Sequence, residues 1–200
     1  MSPAPLVIAV LGAECTGKTS LAQGLSRRLA QTTGLRCTWV PEWLRQWCDQ
    51  HGRTPAAHEQ AEIARAQHLH IASAAQRHDI VVADTTALMT AIYSQQIFGD
   101  GHLRADAVAL HRQADLTLLT APDLPWVADG HQRDGPHVQA PVDALLRQWL
   151  AEEALAWAPV QGQGPARLAC AERACALALR RFMQQRALLN GQLTVSDPGG

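Results

Sequence analysis

Short, unbroken apolar runs alternate along this chain with longer stretches in which apolar residues recur every third or fourth position. Strands covered by helices on both faces have no solvated side, so they lose the every-other-residue pattern, and the alternation predicts a parallel sheet wrapped by helices. Leu6–Leu11 is the first such run. Residues 17–30 follow as a helix, with Leu21, Leu25 and Leu29 on one face and Gly34 past its end. Residues 36–40 read as a second strand closed by Pro41-Glu42, and Trp43, Leu44 and Trp47 predict a short helix after it. Thr54-Pro55 reads as an N-cap with a first-turn proline, opening a long helix to Arg77. Residues 79–84 form a third strand, residues 87–97 and 103–113 two helices, and residues 116–119 a fourth strand. Residues 142–157 predict a helix, 159–161 a short fifth strand, and 165–189 a long last helix. No internal repeat interrupts this order.

One stretch breaks the alternation. Residues 121–141 are rich in Pro and Gly and carry no periodicity, which predicts a long loop or lid, and long loops in compact domains are commonly functional. Residues 194–200 read as a loose tail.

Composition changes little in this picture. A chain of 200 residues, 47% apolar and 18% charged, fits a single domain over residues 1–200 with a buried core. The net charge of −1 supplies no field for nucleic acid or an anionic membrane, and no basic stripe suits a duplex. The leading residues lack a basic segment and the apolar run after them is far too short for a bilayer, so a cytoplasmic protein is the expectation. Five Cys at spacings that match neither a zinc site nor a disulfide framework agree with reduced thiols. His68 and His70 share a helix but not a face, so they do not make a metal pair. A homo-oligomer is compatible with the sequence, and an exposed Trp149 or Trp157 would mark its face.

The charge count conceals one informative residue. Of 17 basic side chains, Lys18 is the sole lysine, and it lies in the segment Gly12-Ala13-Glu14-Cys15-Thr16-Gly17-Lys18-Thr19, which fits G-x-x-x-x-G-K-[ST]. Between a strand and a helix, this pattern turns successive backbone N–H groups and a helix N-terminus toward a phosphate. Glu14, Cys15, Thr16 and Ser20 complete the nucleotide cradle; Lys18 bridges the outer phosphates and the Thr19 hydroxyl ligates Mg²⁺. ATP and Mg²⁺ are therefore the expected cofactors. Cys15 is either a small loop filler or a thiol acidified by the helix dipole.

Two acids stand where strands end. Asp84 closes the third strand, where it either holds Mg²⁺ and takes a proton from an attacking hydroxyl, or caps the next helix. Glu42 follows the second strand, facing an acceptor or acting as base, unless it pairs with Arg45 across one helical turn. In the lid, Trp126 either plugs the core or stacks on a flat ligand, and Arg133 either clamps a transferring phosphoryl group or is a solvated loop arginine.

Gly-x-Glu-x-x-Gly-Lys-Thr, Pro41-Glu42-Trp43-Leu44-Arg45, Asp84-Thr85-Thr86 and the run from Leu118-Leu119-Thr120-Ala121-Pro122-Asp123 through Trp126-Val127-Ala128-Asp129-Gly130 together resemble the kinase domain of NadR-type proteins. These are ribosylnicotinamide kinases within a wider group of NadR-like AAA-type ATP-binding proteins, and the resemblance runs from about Val7 to Arg167. It implies an α/β three-layer P-loop NTPase fold with a parallel five-stranded sheet of the nucleoside kinase type. It further implies transfer of the ATP γ-phosphoryl to the 5′-hydroxyl of nicotinamide riboside; the alternatives are a kinase of another nucleoside or coenzyme precursor, and an ATP-binding or ATPase regulatory module that phosphorylates no metabolite. On that resemblance Glu42 and Asp84 flank the acceptor hydroxyl, Arg45, Trp126 and Asp129 contact the substrate, and Arg133 is a lid arginine. The Gly162-x-Gly164 loop with Arg167 falls where such kinases hold adenine. Thr86 stands where many members carry a second acid, which leaves the base between Asp84 and Glu42. The adenylyltransferase and DNA-binding domains of some NadR proteins have no counterpart here, so neither dinucleotide synthesis nor repressor activity is expected.

Overall fold

A computed structural model describes residues 4–126 and 136–191. Five strands, β1 (Leu6–Leu11), β2 (Cys37–Val40), β3 (Ile80–Asp84), β4 (Leu116–Thr120) and β5 (Ala158–Val160), form one sheet in the order β2-β3-β1-β4-β5. All pairings are parallel, with Ile8 opposite Val82 on one side and Leu116 on the other.

The sheet is covered on both faces, which is why its strands read as unbroken apolar runs. Leu6, Ile8 and Val10 of β1 point into a cluster with Leu21, Leu25 and Leu29 of α1 (Lys18–Thr33) and Cys175 and Phe182 of α7 (Gly164–Leu189). Leu11 points the other way, into a cluster built by α4 (Ala87–Phe98), α5 (Arg104–His111) and α6 (Pro136–Glu152). Val40, Val81 and Ala83 pack against Ile71 and Ala74 of α3 (Gln60–Ala75) on that same face. Full burial of a side chain such as Ile8 or Leu25 stabilises by roughly 1.5–3 kcal/mol. The short α2 (Trp43–His51) packs Trp47 and Cys48 on Ile63 of α3.

Three expectations need correction. The helix expected from Thr54-Pro55 begins at Gln60, after one 3-10 turn over Ala57–Glu59. The Glu59 carboxylate holds the chain there by accepting from the Ala56 N–H at 2.8 Å and from Arg53, so the local start signal is overridden. The lid is narrower than 121–141, because α6 starts at Pro136 and carries Pro141 in its interior. Proline at the helix start supplies no N–H that the first turn would miss, and Pro141 lies on the exposed side of that first turn and a half. Trp149 is core, 1% exposed, with the Arg104 guanidinium 4.8 Å above its ring, and it marks no dimer face. Trp157 is the more exposed of the pair and carries Arg147 over its ring. No helix among the described residues is long and apolar enough to cross a membrane.

Candidate active site

The chain crosses β1 when it passes from β3 to β4, and the carboxyl ends of the strands beside that crossing are where an open α/β sheet binds ligands. β1 leads there into the phosphate loop. Gly12 has φ 152°, and a Cβ on it would fall 2.0 Å from Thr120 Oγ1 and 2.9 Å from Thr16 Oγ1, so no side chain fits. Thr120, at the end of β4, is the brace: its hydroxyl lies 2.7 Å from Thr16 Oγ1 and 3.0 Å from the Leu11 carbonyl, while Thr16 donates to the Ala13 carbonyl at 2.8 Å. Cys15, at φ 55°, occupies the left-handed region without being glycine, a strain typical of a ligand clamp. Gly17, at φ 73°, lets α1 begin at Lys18, with Leu124 close above. Glu14 is buried, and its carbonyl accepts from Gln139 Nε2 of α6 at 2.7 Å. Ser20 is exposed on the first turn of α1.

Lys18 Nζ donates to the Ala13 carbonyl at 2.7 Å, folding back over the loop. Thr19 Oγ1 donates to Asp84 Oδ2 at 2.6 Å, which joins the end of β1's loop to the end of β3. Asp84 is 1% exposed; burial pushes its carboxyl above the usual range, and the Thr19 hydrogen bond and the charges of Lys18 and Arg45 draw it partly back. Its Oδ1 has no hydrogen-bond partner among the described residues. Two hard oxygens at the loop, one of them buried without a donor, suit a magnesium ion shared with phosphate and water.

Asp84 is not the helix cap. Thr86 is, accepting from the Leu88 N–H at 3.3 Å, and its hydroxyl is also 3.0 Å from His111 Nδ1. His111 Nε2 lies 3.0 Å from Thr117 Oγ1 of β4, so a buried Thr86–His111–Thr117 chain lies just past Asp84. Burial first, and the charge of Arg112 second, lowers the His111 pKa to about 4, which keeps the ring neutral. Between Asp84 and Thr86, Thr85 holds φ 71°.

Glu42 sits in extended conformation just ahead of α2. It opens onto a pocket of about 180 Å³ whose walls include Glu14 and Lys18 of the phosphate loop, Arg45 of α2, Gln60 of α3, and Tyr93 and Phe98 of α4. The structure thus brings Glu14, Lys18, Glu42 and Arg45 together around one space, while Asp84 and Trp126 do not line it. Trp126 is half-buried, its Nε1 buried without a partner among the described residues. Asp129 and Arg133 lie outside the described residues. Cys48, also on the pocket wall, is pushed up to about 11 by burial and stays a thiol near neutral pH. None of the tryptophans at 39, 43 and 47 lines the pocket; Trp43 packs edge-on against His70 and Trp47 stacks on His51.

Arg167 is buried, and its guanidinium is turned onto the protein: Nη2 donates to the carbonyls of Thr16 at 2.7 Å and Ala121 at 2.8 Å, and Nη1 to Asp123 Oδ1 at 2.6 Å and the Gly162 carbonyl at 2.5 Å. It ties the phosphate loop to the end of β4 and to the loop before α7.

Sequence reasoning missed Thr120, His111 and two glutamines of α3. Gln67 Oε1 accepts from the Trp43 N–H at 2.6 Å and its Nε2 reaches the Thr85 carbonyl at 3.4 Å, so one side chain links the backbone beside Glu42 to the backbone beside Asp84. Gln60 and Gln67 lie seven apart on the stripe that carries Ile63, Ala64, Ile71 and Ala74. A polar residue on an otherwise apolar helix face was the available signal.

A parallel sheet whose central strand runs through a glycine-bounded loop into a helix defines the P-loop class of nucleoside triphosphate-binding folds. A family model described as an AAA domain matches residues 7–167, and the chain belongs to that family. Among solved structures the fold is similar to a NadR protein in complex with NAD and AMP-PNP, at 18% identity and TM-score 0.66 over 86% of this chain and 50% of that one. A NadR protein in complex with NR gives 19% and 0.65 over 98% of this chain and 54% of that one. A thymidylate kinase from Ehrlichia chaffeensis gives 14% and 0.58 over 88% of this chain and 100% of that one. The chain spans about half the length of the NadR chains it resembles. Among curated proteins no sequence matches it significantly. The fold is that of nucleoside and nucleotide kinases.

Proposed function

We propose that this protein is an ATP- and Mg²⁺-dependent kinase of a small nucleoside, with nicotinamide riboside phosphorylated at its 5′-hydroxyl as the favoured reaction. The observation that carries the reading is the second compartment. A module that only binds or hydrolyses ATP has no use for a pocket that shares Lys18 and Glu14 with the phosphate loop and adds Glu42 and Arg45 to its walls. The NadR fold likeness and the quoted motifs support the choice of acceptor.

The loop backbone and Lys18 hold the outer phosphates, Lys18 exchanging the Ala13 carbonyl for phosphate oxygen. Thr19 and Asp84 are the residues to hold Mg²⁺, which when bound with the nucleotide neutralises charge on the phosphate oxygens. Glu42, on the pocket wall, orients the acceptor hydroxyl and takes its proton, while buried Asp84 stays with the phosphate side. Arg133 of the lid is the proposed clamp on the transferring group, and Trp126 and Asp129 its proposed neighbours on the acceptor. Catalysis is then chiefly positioning and charge stabilisation.

Arg45 on the same wall favours one second reading, an acceptor that already bears a phosphate. The test is purified protein with ATP, Mg²⁺ and a panel of ribosides, deoxynucleosides and nucleoside monophosphates, with products resolved by mass. Phosphorylated riboside confirms the proposal; ATP hydrolysis that no acceptor changes refutes it.

A further inference from the structure

Gln60 is buried, 3% exposed, and its Oε1 makes no hydrogen bond among the described residues although it lines the pocket. A buried amide oxygen without a donor costs about 1–3 kcal/mol, so a group that stays this way in a pocket wall is poised for a ligand. Its height in the pocket identifies which part of a ligand it meets. Gln67 reaches the Thr85 carbonyl and so marks the level of the strand ends. Gln60 lies seven residues earlier on α3, two turns and about 10 Å further out on the same helix face. That is the reach of a nucleoside from its 5′-hydroxyl to the outer edge of its ring. Ile97 and Phe98, 49% and 40% exposed, line the same pocket with Leu44 and give it an apolar surface suited to a flat ring.

We propose that Gln60 reads the acceptor's ring, pairing its side-chain amide with a carboxamide or like hydrogen-bonding edge on a flat ring that lies against Leu44, Ile97 and Phe98. The inference rests on the acceptor-pocket reading and names the group that the pocket selects. A carboxamide offers both a donor and an acceptor to the Gln60 amide; a carboxylate offers only acceptors and a bare ring edge offers neither.

The test compares nicotinamide riboside, nicotinic acid riboside and pyridine riboside, which lacks the substituent. It measures calorimetric binding to protein loaded with AMP-PNP, and transfer from ATP. The expected result is that Gln60→Met weakens nicotinamide riboside about thirty-fold in Kd and KM, with kcat and the pyridine riboside unchanged within about three-fold. Gln60→Glu keeps nicotinamide riboside and worsens nicotinic acid riboside by about ten-fold or more, because two carboxylates then face each other. Retained AMP-PNP binding shows that each variant is folded; should Gln60→Met fail that check, the Gln60→Glu ratio decides. An unchanged preference among the three ribosides in the folded variants overturns the inference and leaves the kinase reading standing. Wild-type binding with the stated preference but no transfer does the reverse. A wild type that binds none of the three overturns both.

Discussion

His111 should make the protein more sensitive to acid than its carboxylates alone require, and replacing it should remove that sensitivity. The ring is 3% exposed between two hydroxyls, and its pKa falls from the ordinary 6.5 to about 4. Between those values the unfolded chain binds a proton at this position and the folded chain does not, so stability falls as pH drops from 6.5 toward 4. At about 1.4 kcal/mol per pH unit, the loss is about 3 kcal/mol, a large part of a typical stability of roughly 5–15 kcal/mol. His111→Gln keeps one of the two hydroxyl contacts, costs about 1–2 kcal/mol at pH 7.5, and has nothing to titrate. The two proteins should therefore be equally stable at about pH 5.5, with the variant the more stable below it. Asp79 and Glu59, whose pKa values are lowered by their arginine and backbone partners, contribute stability that is also lost in acid, but equally in both proteins. Urea unfolding of both at intervals from pH 7.5 to 4.5 measures the difference. A difference constant within about 0.5 kcal/mol across that range would refute the reasoning.

Other consequences can be checked directly. Gly12→Ala forces a methyl 2.0 Å from the Thr120 hydroxyl, so it should cost about 3 kcal/mol and abolish the stabilisation that AMP-PNP gives in a thermal melt. Glu42→Gln should cut kcat by about a hundred-fold or more with AMP-PNP affinity intact, whereas Asp84→Asn should raise the Mg²⁺ concentration for half-maximal rate by about ten-fold; the opposite pattern in Mg²⁺ titrations would exchange their roles. Gln67→Met strands the Trp43 N–H and the Thr85 carbonyl, and should lower stability by about 1–3 kcal/mol in urea unfolding and slow turnover, because both acids lose a shared support.

The strands and most helices were legible because their signal is local. Leu6–Leu11 is apolar throughout, and the structure covers it on both sides; Leu21, Leu25 and Leu29 lie on one face and all are buried. The glycine-bounded loop from β1 into α1 was legible because its pattern is contiguous in sequence. The start of α3 was not, since a tertiary choice by Glu59 overrode the Thr54-Pro55 signal. The supports of the site were hidden for a related reason. Thr120 meets Thr16 across 104 residues and His111 meets Thr86 across 25, and no local pattern records which distant hydroxyl will be opposite. Arg167 gave a position in the chain but not a direction; only the packed structure shows its guanidinium facing inward onto Thr16 and Ala121.

The anchoring of Arg167 divides the site by origin. Its four acceptors belong to the phosphate loop and to the segments after β4 and β5, whereas most of the wall of the proposed acceptor pocket comes from α2, the residues leading into α3, and the outer turns of α4. The two halves share few side chains, Lys18 and Glu14 chief among them. On the proposed reading, outer wall residues such as Leu44, Thr54, Pro55 and Ile97 can change while the Arg167 anchor of the phosphate loop stays in place. On that same reading a lineage with this architecture can drift from one acceptor to another, and a designer can graft residues 42–60 and 93–98 from a relative as a cassette.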